Sequence, residues 1–479
     1  MSPSRPAGFV RVQGTEIVDG DGRPLLLRGV GLGNWLLAEG YMWKFGDPLG
    51  APWQIEAHLE RLVGPAAATT FWHRFRDAFV TEDDIARIAD LGFDHVRLPI
   101  NSRGVLTADG EFREDGFAYL DRTVEWCARH GLWVLLDLHG APGGQTGRNI
   151  DDSPNGKPEL FMDDRYRRLT VKLWREIARR YRDSPTVLGY DLLNEPLPEE
   201  WQHVYPNELV DLYLELTAAI REVDPDHLIM YEGSQWSTNW SIFTRVFDPN
   251  SVLQFHRYWC PPDRGSIVEY LDARDRLGLP IYMGEGGENT PEWIYTATRL
   301  YEQHGIGWNF WPWKKLDTVT SPVSAVRPDG WELIADPDAD VDRGTAQAIL
   351  DALLDNVRLD RCEVRAEVLN ALFGQAPLRL PAWAYTEPDP AAPSRFAGTG
   401  LSDTELDEIW HQAAGKPYDE RMSIAVPAGR ELTYPVRTRP GGWTVRSAEP
   451  DVFDVRWQDG VLTVRAIKDG RLDGIDLAG

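Results

Sequence analysis

Val187-Leu188-Gly189-Tyr190-Asp191-Leu192-Leu193-Asn194-Glu195-Pro196 reads as a short apolar strand that delivers an amide and a carboxylate at its C-terminal end. Ahead of it, Arg165–Arg182 carries Leu169, Leu173, Trp174, Ile177 and Tyr181 at helical spacing, with arginines elsewhere. A helix leading into a strand that is apolar on both faces is the unit of a parallel sheet covered by helices. Ile281-Tyr282-Met283-Gly284-Glu285 repeats the pattern, again ending on a glutamate.

Working outward from these two segments, strand-like runs fall at Leu26–Gly31, Phe93–Leu98, Trp133–Leu138, Val187–Leu193, Leu228–Tyr231, Val252–Phe255, Ile281–Met283 and Gly307–Trp311. Helical patterns at Glu82–Leu91, Phe117–Arg129, Arg165–Arg182, Glu208–Val223 and Pro291–Gln303 fill the gaps, and Gly92, Gly131 and Gly305 sit where helix ends need a left-handed residue. Eight such alternations predict an α/β protein built as a (β/α)8 TIM barrel. Residues 9–28 read as an N-terminal β-hairpin turning at Asp19-Gly20-Asp21-Gly22, and Gly344–Leu354 as the last barrel helix. Beyond about residue 396 the polarity alternates with period two, and Asp459-Gly460 and Asp469-Gly470 supply turns. The expected organisation is a catalytic barrel over 1–375, a Pro/Ala-rich linker over 376–395, and a small β-rich, sandwich-like module over 396–479.

A net charge of −25 argues against partners rich in phosphate, so neither nucleic acid nor an anionic membrane surface is expected. No run approaches the ~20 apolar residues of a membrane span. Met1-Ser-Pro-Ser-Arg-Pro6 has no signal-peptide core, which leads to the expectation of a cytoplasmic protein, or a secreted one if a signal has been removed. Cys127, Cys260 and Cys362 are too scattered for a metal or redox motif and read as buried thiols. Asp151, Asp152 and Asn155 lack the spacing of a calcium loop. No metal and no organic cofactor is implied. A neutral, hydroxyl-rich partner remains, and of the 20 Trp residues 16 precede residue 340, where indole faces are available to stack on pyranose rings.

The strand ends give this partner a chemistry. Arg97, His139, Asn194-Glu195, Glu232, His256 and Tyr258, Glu285, and Trp311 with Trp313 all fall where a barrel strand meets its following loop. Two carboxyl groups on one rim suit cleavage of a glycosidic bond with retention, one as acid/base and one as nucleophile. Asn194 is placed to bond a sugar 2-hydroxyl, which assigns Glu195 as acid/base and Glu285 as nucleophile. Tyr258 and Arg97 are expected to hold Glu285 ionised, His139 and His256 to bond hydroxyls or orient the carboxylates, and Trp311 and Trp313 to floor the pocket. Asp, Glu or His at such positions also serve structural ion pairs, and Glu232 in particular is open to a supporting role.

In these motifs the chain resembles glycoside hydrolase family 5 over roughly residues 25–318. His95-Val-Arg-Leu-Pro99, Leu192–Pro196, His256-Arg257-Tyr258 and Gly284-Glu285 carry the likeness. Arg28–Glu39 and Asp137–Gln145 are similar to the exo-β-1,3-glucanase branch. The resemblance implies a glycosidase that releases β-linked glucose from oligosaccharides, glucans or glucosides by double displacement, and it implies that Glu39 binds the terminal glucose. Departures lie in the long acidic loop Thr146–Asp164, in Gly286-Gly287-Glu288 after the nucleophile position, in Arg257 between His256 and Tyr258, and in the bulk of Tyr41, Trp43 and Lys44. Two other readings share these residues: a transglycosylase with a sugar acceptor in place of water, and a catalytically silent glucan-binding protein. The presence of both carboxylates with Asn194 and Tyr258 speaks against the second.

Overall fold

The computed structural model describes residues 8–387, 394–396, 399–412 and 422–479, with the side chains of residues 403, 407, 411 and 412 left aside. Eight parallel strands close into a barrel: β1 (Arg28–Gly31), β2 (His95–Asn101), β3 (Trp133–Gly140), β4 (Val187–Asp191), β5 (Leu228–Glu232), β6 (Ser251–His256), β7 (Ile281–Gly287) and β8 (Gly307–Trp311). Neighbours pair in chain order, and β8 closes on β1 through Trp308↔Arg28. Every residue of β2, β4, β5, β6, β7 and β8 is buried, which is why these runs lack a polar face.

Two helices matter for the site. α1 (Asp164–Tyr181) starts at Asp163, whose side chain accepts from Arg165 N at 2.8 Å. Its buried Trp174 donates Nε1–H to Leu192 O at 3.0 Å, anchoring the chain two residues before Asn194. α2 (Pro291–Gln303) is capped by Thr290 and follows the strand that carries Glu285. The barrel floor needs the glycines of Gly29-Val30-Gly31-Leu32-Gly33: a Cβ on Gly31 or Gly33 would stand 2.4 or 2.7 Å from the Trp311 ring. Gly284 is required by Gln254 in the same way, since a Cβ would meet its amide carbon at 2.1 Å.

Two expectations shift. The N-terminal hairpin pairs Arg11–Gln13 with Glu16–Val18 and turns at Gly14-Thr15, earlier than expected. Asp19 instead organises a second turn, its carboxylate accepting from Asp21 N and Arg23 N. The segment expected as a linker contains the strand Leu378–Pro381, which pairs antiparallel with the last strand, Gly474–Ala478. Pro and Ala there did not signal a strand, yet Leu378, Leu380 and Trp383 are buried and tie the segment into the C-terminal β layer. Residues 388–393 of that segment lie outside the described residues, as do the first seven residues, on which the expectation about localisation rests. No helix among the described residues is long and apolar enough to cross a membrane.

The C-terminal strands are all antiparallel, with Glu431–Pro435, Val461–Ala466 and Phe453–Gln458 in one sheet. Asp459 and Gly460 both take positive φ, as the hairpin turn between them requires. This layer packs on the barrel through α2: Tyr295 donates to Pro435 O at 3.1 Å, and Arg437 pairs with Glu302 at 2.8 Å.

Candidate active site

Glu39, His139, Glu195, His256, Tyr258, Glu285 and Trp311 line one cavity of about 500 Å3 at the C-terminal end of the barrel strands. All its lining residues lie between Glu39 and Trp311, so no described residue of the C-terminal layer reaches it.

Below the cavity, Arg97 is completely buried and acts as a hub. Its Nε donates to Asp191 at 2.8 Å, and Nη2 to Asn194 Oδ1 at 2.9 Å and Glu232 at 3.1 Å. Its Nη1 lies 3.2 Å from Asp137 and donates to Glu285 Oε1. One fixed cation thus meets four carboxylates, an arrangement that a dry interior tolerates only when the charges are paired and hydrogen-bonded. Burial, partly offset by Arg97, pushes Asp137 up to about 8 and Asp191 upward as well.

Glu285 accepts from Arg97 on Oε1 and from the Tyr258 hydroxyl on Oε2, the latter at 2.8 Å. Burial raises its pKa above the ordinary carboxylate value, while His256 and Arg97 pull it down. Glu195, four residues past the end of β4, has φ 45°, in the left-handed region that non-glycine residues seldom occupy. Its backbone N–H is held by Glu232 Oε2 at 2.8 Å, and its Oε1 lies 2.7 Å from His256 Nδ1. Burial disfavours the charged form of His256, but the Glu232 and Glu285 carboxylates and hydrogen bonds to Glu195 and Glu232 outweigh it, and its pKa is raised well above the ordinary imidazole value. Oxygens of Glu195 and Glu285 lie within 4.8 Å of one another. That spacing suits direct attack, since inverting pairs stand ~6.5–9.5 Å apart to admit a water.

The far end of the cavity is different. Glu39 is 2% exposed and its Oε1 has no hydrogen-bond partner; the nearest cation-capable group is His139 Nε2 at 3.9 Å. Burial first, then Glu285 and Glu288, raises the Glu39 pKa well above the usual range. His139 donates or accepts at Asp137 through Nδ1 (2.8 Å) and stacks on Trp311 at 5.2 Å between ring centroids and 9° between planes. Burial holds His139 down to about 4, so it is neutral. Trp311 Nε1–H donates to the Tyr41 hydroxyl at 3.3 Å, and Lys315 pairs with Glu288 beside them.

Not every sequence-predicted residue joins the cavity. Trp313 is 1% exposed and donates to Asp84 at 2.9 Å in the apolar core, because the strand ends at Trp311 and the chain leaves the sheet at Pro312. Arg97 and Asn194 are completely buried beneath the pair, Asn194 Oδ1 being taken by Arg97 and its Nδ2 lying 3.3 Å from His139. Trp43 packs inside against Phe75 and Trp331 instead of crowding the entrance, which Tyr41 does. Asp137, Asp191 and Gln254 were missed, although two of them stand two residues before His139 and His256, on the same strand face. The Gln145 amide donates to His139 O at 2.6 Å and to Asn194 O at 3.0 Å, stitching the end of β3 to the loop after β4.

A cation is conceivable only between Glu195, His256 and Glu285, the one suitable grouping among the described residues, and Arg97 already places a positive charge on Glu285. Asp151 is occupied inside its loop by Thr146 and Ser153 N–H groups, and Asp152 by Arg103.

The model of the cellulase family, glycosyl hydrolase family 5, matches residues 60–317. The chain belongs to glycosyl hydrolase family 5. As a member of that family it is a glycoside hydrolase with a retaining β-glycosidase framework. It is 35% identical to a beta-xylosidase of Phanerodontia chrysosporium over 346 residues, covering 64% of this chain and 71% of that one. It is 34% identical to endoglucanase C of Acetivibrio thermocellus over 308 residues (50% and 86%), and 31% identical to a probable glucan 1,3-beta-glucosidase A of Emericella nidulans over 300 residues (59% and 71%). Among solved structures, that of an endogalactoceramidase covers 98% of this chain and 100% of its own at a TM-score of 0.54 and 18% identity. The likeness in fold to that structure spans the C-terminal layer as well as the barrel.

Proposed function

We propose that this family 5 enzyme removes β-linked glucose from oligosaccharides, glucans or glucosides by double displacement, with Glu285 as nucleophile and Glu195 as acid/base. The observation that carries the reading is the close Glu195–Glu285 pair with unlike supports: a guanidinium and a phenol on Glu285, a histidine on Glu195. Arg97 and Tyr258 stabilise the ionised nucleophile. Glu195, within reach of a proton on His256, protonates the leaving oxygen and then takes a proton from water as the glycosyl-enzyme is hydrolysed. Glu39, with an oxygen left free in a buried wall, accepts hydroxyl groups of the sugar in the −1 position. Tyr41, Trp311 and the Lys315–Glu288 pair close the cavity behind that sugar, which supports release of a terminal residue over cleavage inside a chain.

The relatives named above as acting on β-linked glucan or xyloside leave the glycone open, and a panel of 4-nitrophenyl β-glycosides tests it. Glu285→Gly is expected to lose hydrolysis by a factor of at least ~10^4 and to regain rate with azide, giving the α-glycosyl azide. Glu195→Ala with an activated aryl glycoside and azide is expected to give the β-anomer instead. Rescue of both variants with the same anomer, or of neither, contradicts the assignment.

A further inference from the structure

A second cleft, of about 240 Å3, lies outside the catalytic cavity and shares no lining residue with it. It opens between the helices Pro52–Val63, Pro65–Phe79 and Glu114–His130, against the loop after β1. Its charge is unlike that of the molecule as a whole. Arg76, Arg103 and Arg113 line it with only two carboxylates, Glu56 and Asp115, in a chain whose net charge is −25.

The three guanidinium groups are not equivalent. Arg103 pairs with Glu56 at 2.6 Å and with Asp152 at 2.5 Å, and Arg113 pairs with Asp115 at 3.4 Å. Among the described residues the Arg76 guanidinium has neither an ion pair nor a hydrogen-bond acceptor; its Cζ stands 5.9 Å from the centroid of the Trp72 ring. Burial pulls the Arg76 pKa below the ordinary guanidinium value; Glu56 opposes this, while Arg103 and Arg113 reinforce it. Two donors beside it are also without an acceptor: Trp72 Nε1–H, on a side chain 8% exposed, and Arg122 Nε–H. Arg122 is fixed there by Nη2–H to Arg76 O at 3.1 Å and by Asp77 at 2.9 Å. Folded proteins pair nearly all their buried donors, so an unpaired cation and two unpaired N–H groups in one place mark a position for an acceptor from outside the chain.

The lining narrows the chemistry of that acceptor. A guanidinium binds a carboxylate as a fork. Trp72 and Tyr119 offer aromatic surface for the C–H face of a pyranose, and Glu56 and Asp115 offer acceptors for its hydroxyls. The volume is below the ~300 Å3 at which pockets for drug-sized ligands begin, so it suits one ring and excludes a chain. We infer that this cleft is a second binding site, which takes a single sugar ring bearing a carboxylate, with the carboxylate on Arg76 and the Trp72 N–H and the hydroxyls on Glu56 and Asp115. A neutral sugar lacks the group that Arg76 needs, and an inorganic oxyanion lacks the hydroxyls that the two carboxylates need. The site is independent of the chemistry at Glu195 and Glu285.

Titration calorimetry of the whole protein with sodium glucuronate, glucose and inorganic phosphate tests this. Glucuronate is expected to bind saturably in the millimolar range, about tenfold more tightly than glucose or phosphate. Arg76→Met is expected to weaken it about tenfold, the scale of a lost charge-assisted hydrogen bond. The same variant should leave kcat/KM on 4-nitrophenyl β-glucoside unchanged, since Arg76 does not line the catalytic cavity. Arg76→Lys, which keeps the charge and loses the fork, is expected to bind with intermediate affinity, and it carries the test if the methionine variant does not fold. No saturable binding by the wild type, binding of glucose or phosphate as tight as that of glucuronate, or glucuronate binding undiminished in both variants overturns the inference.

Discussion

Glu285 and Glu39 are both buried carboxylates on one cavity, and the protein treats them in opposite ways. Glu285 has a donor on each oxygen, Arg97 on one side and Tyr258 on the other. Glu39 has an oxygen with no partner, and the basic side chain within 4 Å of it is a neutral histidine. The first arrangement fixes an ionised group for chemistry, since its charge and direction are set before substrate arrives. The second leaves a hydrogen-bonding deficit that a sugar hydroxyl fills on binding. A carboxyl paired for chemistry and one left open for substrate are thus distinguishable by their partners even though burial raises the pKa of both.

Removing the support on the Glu285 side is expected to have the largest effect. Arg97→Ala strips a cation from four carboxylates, so it should destabilise the fold by about 3–5 kcal/mol and abolish measurable hydrolysis. Urea unfolding and initial rates read this, and a variant of wild-type stability would show that the carboxylates do not depend on the guanidinium.

Glu39→Gln should separate binding from stability. Loss of one carboxyl oxygen that bonds sugar hydroxyls in a buried wall is expected to lower kcat/KM roughly tenfold, at about 0.5–1.5 kcal/mol per hydrogen bond. Stability should move the other way. Because burial raises the folded-state pKa of Glu39, the folded protein holds a proton that the unfolded chain releases. Its contribution to stability is present below the unfolded carboxylate pKa and is lost as pH rises through the folded value. Glutamine removes that dependence, so the variant should gain thermal stability over wild type as pH increases from acidic to neutral. A gain that is absent at neutral pH would mean Glu39 has a structural partner after all.

Tyr258→Phe sharpens the comparison with the smallest change. It leaves Arg97 in place and removes one donor, so an activity loss of about tenfold is expected. Hydrolysis needs Glu285 ionised, and loss of a donor to the carboxylate raises its pKa further. The acidic limb of kcat/KM is expected above the ordinary carboxylate value in the wild type and at still higher pH in the variant. A limb that stays in place would assign the acidic limb to another group.

Much of the site was legible because a parallel barrel strand announces itself as an apolar run, and polar residues at or just past its C-terminal end reach the rim. Glu195, His256, Glu285, His139 and Trp311 follow from that rule. Trp313 does not, because spacing of two residues implies one face only while the chain remains a strand, and here it has left the sheet. Asp137, Asp191 and Gln254 lie one layer deeper, where a polar residue inside an apolar run has meaning only once its partner from another strand is known. The strand Leu378–Pro381 was hidden for a related reason: its pairing partner begins almost a hundred residues later.

The sequence by itself determined eight alternating strands and helices, the family, and the two glutamates at the ends of the fourth and seventh strands, because these depend on local periodicity and on motifs of contiguous residues. Only the tertiary structure decided that Arg97 serves four carboxylates, that Glu39 keeps an open oxygen, and that a left-handed turn over residues 235–237 puts Trp236 on the cavity wall. Those are contacts between residues far apart in the chain, and their energies are set by burial and by distances that exist only when the barrel has closed.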